Sequence, residues 1–373
     1  MYRNLIAFLA AALILAIIGA STSAAIPVAP DTVTVFVDVH VIPMDEERVL
    51  ENRTVIVRGD RIDSVVPAGS AVIPAGAVVI EGDGRYLMPG LAEMHGHVPP
   101  PSGPRREVEN TLFLYAAGGV TTVRGMLGWP GQLELRSQAE QGEIVSPTLY
   151  LAGPSFNGNS ISSPEQAAAR AREQAAAGWD LLKVHPGLTR AEYDAMADAA
   201  HDVGIAFGGH VPADVGLLHA LEKRQLTFDH IDGYTALLGG EDGTIDRDAL
   251  ADVVRQTREA GAWIVPTLLL WESILGAADL EAMQAYEELR YVSPAQVRQW
   301  TNSVRSATSS PGYNAVEAMN ITEARLEILQ ALHEGGVPIL MGTDAPQIFS
   351  VPGFSLHREV VRMTDAGMSP FEV

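Results

Sequence analysis

The 373-residue chain contains no cysteine. No disulfide can brace it, and any metal it binds must be held by histidine, carboxylate or a modified lysine. Basic residues are scarce as well: 25 Lys and Arg stand against 46 Asp and Glu, a formal net charge of −21. A footprint for phosphates needs clustered cations, so neither nucleic acid nor anionic lipid is an expected partner. Long apolar runs are also missing. The N-terminal one, residues 5–20, falls short of the roughly 20 residues that a membrane span needs. It follows Met1-Tyr2-Arg3-Asn4 and ends in Ser21-Thr22-Ser23-Ala24-Ala25, small residues that suit a signal peptidase. Residues 1–25 therefore read as a cleaved export signal. The mature protein is expected to be periplasmic or extracellular, with no stable membrane insertion.

What is present is a globular composition, 47% hydrophobic and 19% charged, enough for one large domain and a small accessory one. Across 32–85 the pattern is short β-rich runs cut by turns: Val33-Thr34-Val35-Phe36-Val37, then Thr54-Val55-Ile56-Val57 before Gly59-Asp60, then Ala77-Val78-Val79-Ile80 before Gly82-Asp83-Gly84. This predicts a small antiparallel sheet unit.

From residue 86 to 373 apolar strands alternate with Ala- and Glu-rich helical stretches, the sign of βα units and a parallel sheet. Candidate strands fall at 86–94, 120–124, 148–152, 181–185, 205–210, 226–230, 263–268 and 338–344. Eight is the number that closes a (β/α)8 TIM barrel. The stretch at about 269–336 exceeds what one barrel helix requires, and predicts a helical insert over the barrel mouth.

His95-Gly96-His97 ends the first of these strands. Residues two apart on a strand point the same way, so both imidazoles can face the barrel axis. Lys183, His210, His230 and Asp344 each lie at the C-terminal end of a different predicted strand. That end of a barrel builds its active site, so all six side chains would converge on one pocket. His185, two residues after Lys183, shares its side of the strand and is a candidate for contact with substrate. Arg124 and Tyr234 are further candidates, the guanidinium for a substrate carboxylate and the phenol for an oxyanion. Trp271, Tyr286 and Tyr291 mark the insert.

In Leu87-Met88-Pro89-Gly90-Leu91-Ala92-Glu93-Met94-His95-Gly96-His97, Gly118-Gly119-Val120-Thr121-Thr122-Val123-Arg124, Gly209-His210-Val211-Pro212, Asp229-His230-Ile231-Asp232-Gly233-Tyr234 and Gly342-Thr343-Asp344-Ala345, the sequence resembles the amidohydrolase superfamily. The likeness is to its imidazolonepropionase-like and Xaa-Pro dipeptidase-like branches, and it spans roughly residues 32–373. It implies two divalent metal ions, with zinc expected. His95 and His97 would bind the first and His210 and His230 the second. Lys183, carboxylated by carbon dioxide, would bridge both, and Asp344 would touch the first. A metal-bridging hydroxide would then cleave amide or peptide C–N bonds, with Asp344 moving the proton. The apolar neighbours of Lys183 suit this role, because burial favours the neutral amine that adds carbon dioxide.

Two departures stand out: Glu93 and Gly125 occupy positions where related sequences often carry Asp. The family also usually continues beyond a stretch like 363–370 with strands that complete the small domain, so a β-sandwich incomplete at its C-terminus is expected. Three readings remain open: a binuclear dipeptidase or carboxypeptidase-like hydrolase, a mononuclear cyclic-amide hydrolase or deaminase, and an inactive truncated member. The expected partner is a small molecule or dipeptide, with a homo-oligomer as a further possibility.

Overall fold

The computed structural model describes residues 33–239 and 243–373. The predicted export signal lies outside them. They fall into two compact units, one ending at Pro89 and the other running Gly90–Val373.

The first unit is a four-stranded sheet in the order β3-β2-β1-β4, built from β1 (Val33–Val41), β2 (Leu50–Arg58), β3 (Arg61–Pro67) and β4 (Val78–Leu87). Alternation along β1 and β2 buries Val39, Val41 and Val55, with Phe36, Leu50, Val57 and Leu87 packed around them. Two expectations change here. β1 and β2 pair antiparallel, as do β2 and β3, but β4 runs parallel to β1. The chain leaves β3 at one edge and crosses through 68–77 to the other edge, where it re-enters in the direction of β1. A second layer that would make a sandwich is not found among the described residues.

The second unit alternates strand and helix. β5 (Leu91–Gly96), β6 (Val120–Gly125) and β7 (Thr148–Leu151) form one parallel sheet. β8 (Leu181–Val184), β9 (Ala206–Gly209), β10 (Thr227–Asp229) and β11 (Trp263–Val265) form another. Between them run α1 (Arg105–Ala117), α2 (Gln132–Glu140), α3 (Pro164–Ala177), α4 (Arg190–Val203), α5 (Leu217–Glu222), α6 (Tyr234–Leu238) and α7 (Arg247–Ala260).

The helix limits are written in the sequence. Ser163 caps α3 with Pro164 in its first turn, and Thr189 with Glu192 makes a capping box on α4. Gly178, Gly204 and Gly261 end α3, α4 and α7 in the left-handed conformation that favours glycine. β8 and β10 are buried on both faces, as parallel strands covered by helices are; all four residues of β8 are buried, including Lys183, whereas β7 exposes Thr148 and Tyr150 on one face.

The eighth candidate strand, 338–344, is not a continuous strand. Pro338 supplies no backbone donor, and Asp344 has φ 60°, outside the β region. The segment is nevertheless bonded on both sides. Leu340 donates to Ile264, while Met94 donates to Met341 and Asp344 to His95. β7 and β8 meet through bridges at Ala152–Leu181 and Phe156–Val184.

After β11 come α8 (Leu268–Leu275), α9 (Leu280–Gln284), a 3-10 turn (Glu287–Tyr291), α10 (Pro294–Thr308) and α11 (Ala315–Glu334). Met283, Trp300 and Val304 pack on Phe349 and Val351 of the loop after Asp344, forming a small core of their own. The chain closes with α12 (Ser355–Asp365). No helix among the described residues is long and apolar enough to cross a membrane.

The N-terminus of α8 is capped from α12. Thr267 enters the helix in the left-handed conformation and makes no cap bond. The fully buried Glu359 instead accepts from the amides of Leu268 (2.8 Å) and Leu269 (3.1 Å). Burial outweighs these bonds and pushes the Glu359 carboxyl up to about 7 from its ordinary 4.5. A raised carboxyl holds its proton in the folded state after the unfolded chain has lost it. Its stabilising contribution is therefore complete below pH 4.5 and is lost as pH rises through 7. We expect Glu359→Gln to gain on the wild type by about 3 kcal/mol across that window, read from urea unfolding of both proteins. A constant difference between the two would remove Glu359 as the titrating group.

Candidate metal centre

The six predicted ligand residues meet at the C-terminal ends of the parallel strands. His95 and His97, on and just past β5, point the same way, as alternation requires. His97 Nε2 lies 2.5 Å from Asp344 Oδ1, and His95 Nε2 lies 3.6 Å from the same oxygen. Lys183 Nζ is 3.3 Å from His95 Nε2. His230 Nε2 is 3.6 Å from Asp344 Oδ2. The rings of His95 and His210 each lie 4.5 Å from that of His230. Ligand atoms of His95, His230 and Asp344 all fall within 4.8 Å of one another, close enough for one ion to touch all three.

The opposite side of the rings explains why these nitrogens converge. His210 Nδ1 lies 2.5 Å from Asp232 Oδ2, and His230 Nδ1 lies 2.7 Å from Thr267 Oγ1. His95 Nδ1 is 2.9 Å from Asp229 Oδ2, though too far off line for a hydrogen bond, and neither buried atom has a hydrogen-bond partner. The anchors on His210 and His230 direct Nε2 into the cluster, the outer-shell pattern that orients metal-binding histidines. The donor set of imidazoles, one carboxylate and one amine suits a divalent ion of the zinc class.

Charge and burial are set against each other throughout. Burial alone would raise the Asp344 carboxyl, but the imidazoles of His95 and His97 outweigh it and hold it at about 2. Lys183 is lowered by burial, opposed by the charges of Asp229 and Asp344. Burial and the Lys183 charge drive His95 well below the ordinary imidazole value, while burial and the neighbouring imidazoles do the same to His230. Neutral imidazoles and an ionised aspartate are the protonation states that bind metal.

Backbone features make the convergence possible. His230 has φ 63° and Ile231 φ 57°, so the alternation of β10 breaks there. Asp229 and His230 can therefore both serve the cluster although they are adjacent. Gly209 has φ 124°, and a Cβ on it would stand 2.4 Å from the Val184 carbonyl oxygen and 3.0 Å from Lys183 Cδ. Glycine leaves that room to the lysine stem.

Sequence reasoning missed the residues behind the ligands. Asp229 is fully buried, 3.6 Å from Lys183 Nζ and 3.5 Å from Arg124 Nη2. Glu93 accepts from the amides of His95 (3.0 Å) and Thr343 (2.8 Å) and from the Thr343 hydroxyl (2.5 Å). It ties the His95 segment to the Asp344 segment, and burial pushes its carboxyl up to about 8 despite these donors. The departure from Asp to Glu thus adds reach between two ligand strands. A buried acid beside a motif histidine was the available signal.

The three substrate candidates separate. His185 stacks on His210 with ring centroids 5.0 Å apart, and its buried Nδ1 has no partner. It belongs to the cluster's rim. Arg124 turns away from the strand ends: it donates to the Met94 carbonyl (2.6 Å) and to Thr227 Oγ1 (3.2 Å) from beneath, steadying Asp229. Tyr234 is buried, and its hydroxyl pairs with Thr257 of α7 at 2.9 Å, in the helix layer. Neither is brought to the histidines. Position along the chain does not reveal which way a side chain at a strand end turns.

Comparison with known proteins agrees with this architecture. Residues 86–373 match the family model described as the amidohydrolase family. A dihydroorotase from Bacillus licheniformis is 36% identical over 84 residues, 22% of this chain and 19% of that protein. The chain thus aligns with only about a fifth of that curated relative. A bottromycin amidohydrolase structure superposes with a TM-score of 0.71 at 24% identity, covering 91% of this chain and 75% of the other. A putative prolidase from Bifidobacterium longum gives 0.65 at 23% identity, covering 91% and 80%. A Xaa-Pro dipeptidase structure with bound methionine gives 0.64 at 19%, covering 90% and 84%. At these identities the structures speak for the fold.

Proposed function

The chain belongs to the amidohydrolase family, and from that premise we propose that it hydrolyses C–N bonds as a binuclear dipeptidase or carboxypeptidase-like enzyme. The observation that carries this reading is the convergence of His95 and His230 on Lys183 and Asp344, with His210 against His230 and both His210 and His230 held at Nδ1. His95, His97 and Asp344 would hold one ion and His210 and His230 a second, with Lys183 as a carbamate between them. Bound there, the ions would acidify water and polarise the scissile carbonyl.

The chain's own residues supply the rest. Asp344 is ionised at any working pH and takes the proton released by the attacking water. It delivers that proton to the departing nitrogen as the C–N bond breaks. His97, 2.5 Å from Asp344 Oδ1, fixes the carboxylate for both transfers. Lys183, buried among apolar neighbours and lowered in pKa, is suited to be the neutral amine that adds carbon dioxide. Burial also excludes water that would compete for the polarised carbonyl.

The same reading takes the bonds from 338–344 to Ile264 and to the β5 segment as the seams of a closed (β/α)8 barrel. It assigns the protein to the cell exterior or periplasm through the 1–25 segment, with zinc as the resident metal. Metal content tests it. Protein grown with bicarbonate and zinc is expected to carry about two ions per chain, falling to one or fewer in Lys183→Ala. About one in both would overturn the carbamate bridge and favour a mononuclear cyclic-amide hydrolase.

A further inference from the structure

Arg325, on α11, is only 6% exposed, yet no carboxylate lies within ion-pairing distance of it among the described residues. Its Nη1 donates to the carbonyl of the ligand residue His230. Its guanidinium lies over the indole of Trp271 from α8, with Cζ 4.1 Å from the ring centroid. These contacts orient the group but leave its other donors unused: Nε is buried without a partner. So is Nε1 of Trp271. Asp232 attracts the guanidinium but does not offset its burial, and leaving two N–H groups unsatisfied beside it adds to that cost. Such an arrangement in one place calls for an anion that arrives from outside.

The surroundings narrow what the anion is. Arg325 and Trp271 line a cleft of about 590 Å³ that also includes Asp232, the anchor of His210. The rest of its wall is largely apolar, with Val211, Leu217, Leu237, Leu275 and Ile321. A guanidinium fork with a neighbouring indole N–H matches the two oxygens of a carboxylate, and Asp232 disfavours a dianion such as phosphate. The Trp271 ring is 6.2 Å from the ring of His230. Consecutive Cα atoms lie about 3.8 Å apart, so a single amino-acid residue spans from the scissile amide at the histidines to this cleft.

We propose that Arg325 and Trp271 form the subsite for the free carboxylate of the residue released on hydrolysis, so that the substrates are peptides or N-acyl amino acids ending in an apolar residue. The substrate enters with its terminal carboxylate on the guanidinium and its side chain along the apolar wall, which places the preceding amide against Asp344. The assignment rests on the hydrolase reading for its orientation.

The test is calorimetric titration of the zinc-loaded full chain with L-leucine and with L-leucinol, neither of which holds an amide to cleave. L-Leucine is expected to bind the wild type at least tenfold more tightly than L-leucinol. Arg325→Gln should erase that preference, and Arg325→Lys should restore only part of it. Trp271→Phe, which keeps the stacking ring and removes only the indole donor, should weaken L-leucine several-fold and leave L-leucinol unchanged. A preference equal in wild type and Arg325→Gln, or binding of neither ligand, would overturn the subsite. Melting curves show whether a variant is folded, and Trp271→Phe keeps the question open to measurement if Arg325→Gln is not. Hydrolysis of N-acetyl-L-leucine is measured separately. Discrimination at the cleft without turnover would sink the hydrolase orientation and keep the carboxylate subsite.

Discussion

Asp344→Asn is expected to lower kcat about 10³- to 10⁴-fold while leaving the protein folded. Asparagine has the same outline and its amide oxygen can still meet His97, but it cannot take a proton from water and return it to nitrogen. The backbone tolerates the change for a specific reason. Asp344 sits at φ 60°, where asparagine is among the few residues at ease, and the bond from its amide to His95 does not involve the side chain. The loss should therefore appear in kcat, with the melting temperature moved by only a few degrees. Activity within threefold of wild type would take Asp344 out of proton transfer, and would move the search to Glu93 or His185.

The second large effect is on stability. Asp229 is completely buried and faces two cations, Arg124 at 3.5 Å and Lys183 at 3.6 Å, besides the imidazole of His95. Burial would raise its carboxyl, but the charges of Arg124 and Lys183 prevail and hold it below the ordinary carboxylate value. In the metal-free protein, where Lys183 is a free amine, removing it in Asp229→Ala strands those cations in a medium that solvates them poorly. A destabilisation of about 3–5 kcal/mol is expected. Without the carboxylate that faces its Nδ1, the His95 ring is also less constrained, so metal affinity should fall by about 10–100-fold. Denaturant unfolding and a competitive zinc titration measure the two effects separately. A change below about 1 kcal/mol would mean that Asp229 does not offset the buried charge of Arg124.

The sequence made parts of this legible because regular structure has regular consequences. Two-residue alternation at the end of β5 put His95 and His97 on one side, and the strand-helix rhythm placed Lys183, His210, His230 and Asp344 at strand ends. Each of those is a local rule acting over a few residues. Arg124 and Tyr234 follow no such rule. Arg124 is a long side chain near a strand end that can turn up toward substrate or down toward Asp229, and Thr227 with the Met94 carbonyl decides for down. Tyr234 opens α6, and its direction depends on the Thr257 hydroxyl, 23 residues away. The parallel pairing of β4 with β1 was hidden for a similar reason, since a run of β-branched residues says nothing of which neighbour it will join. Arg325 is the extreme case. It lies 95 residues beyond the carbonyl it meets, on a helix whose sequence looks ordinary.

The helices between β11 and the Asp344 segment carry a separable core, in which Met283, Trp300 and Val304 close on Phe349 and Val351. That separateness bears on how such a protein changes over generations. Substitutions inside the satellite core are felt first by the loop after Asp344, while the ligands on four other segments rest on the main core. A lineage can therefore remodel this outer layer, and with it what is admitted, through losses that stay local. The inherited chemistry beneath would not have to be reinvented each time.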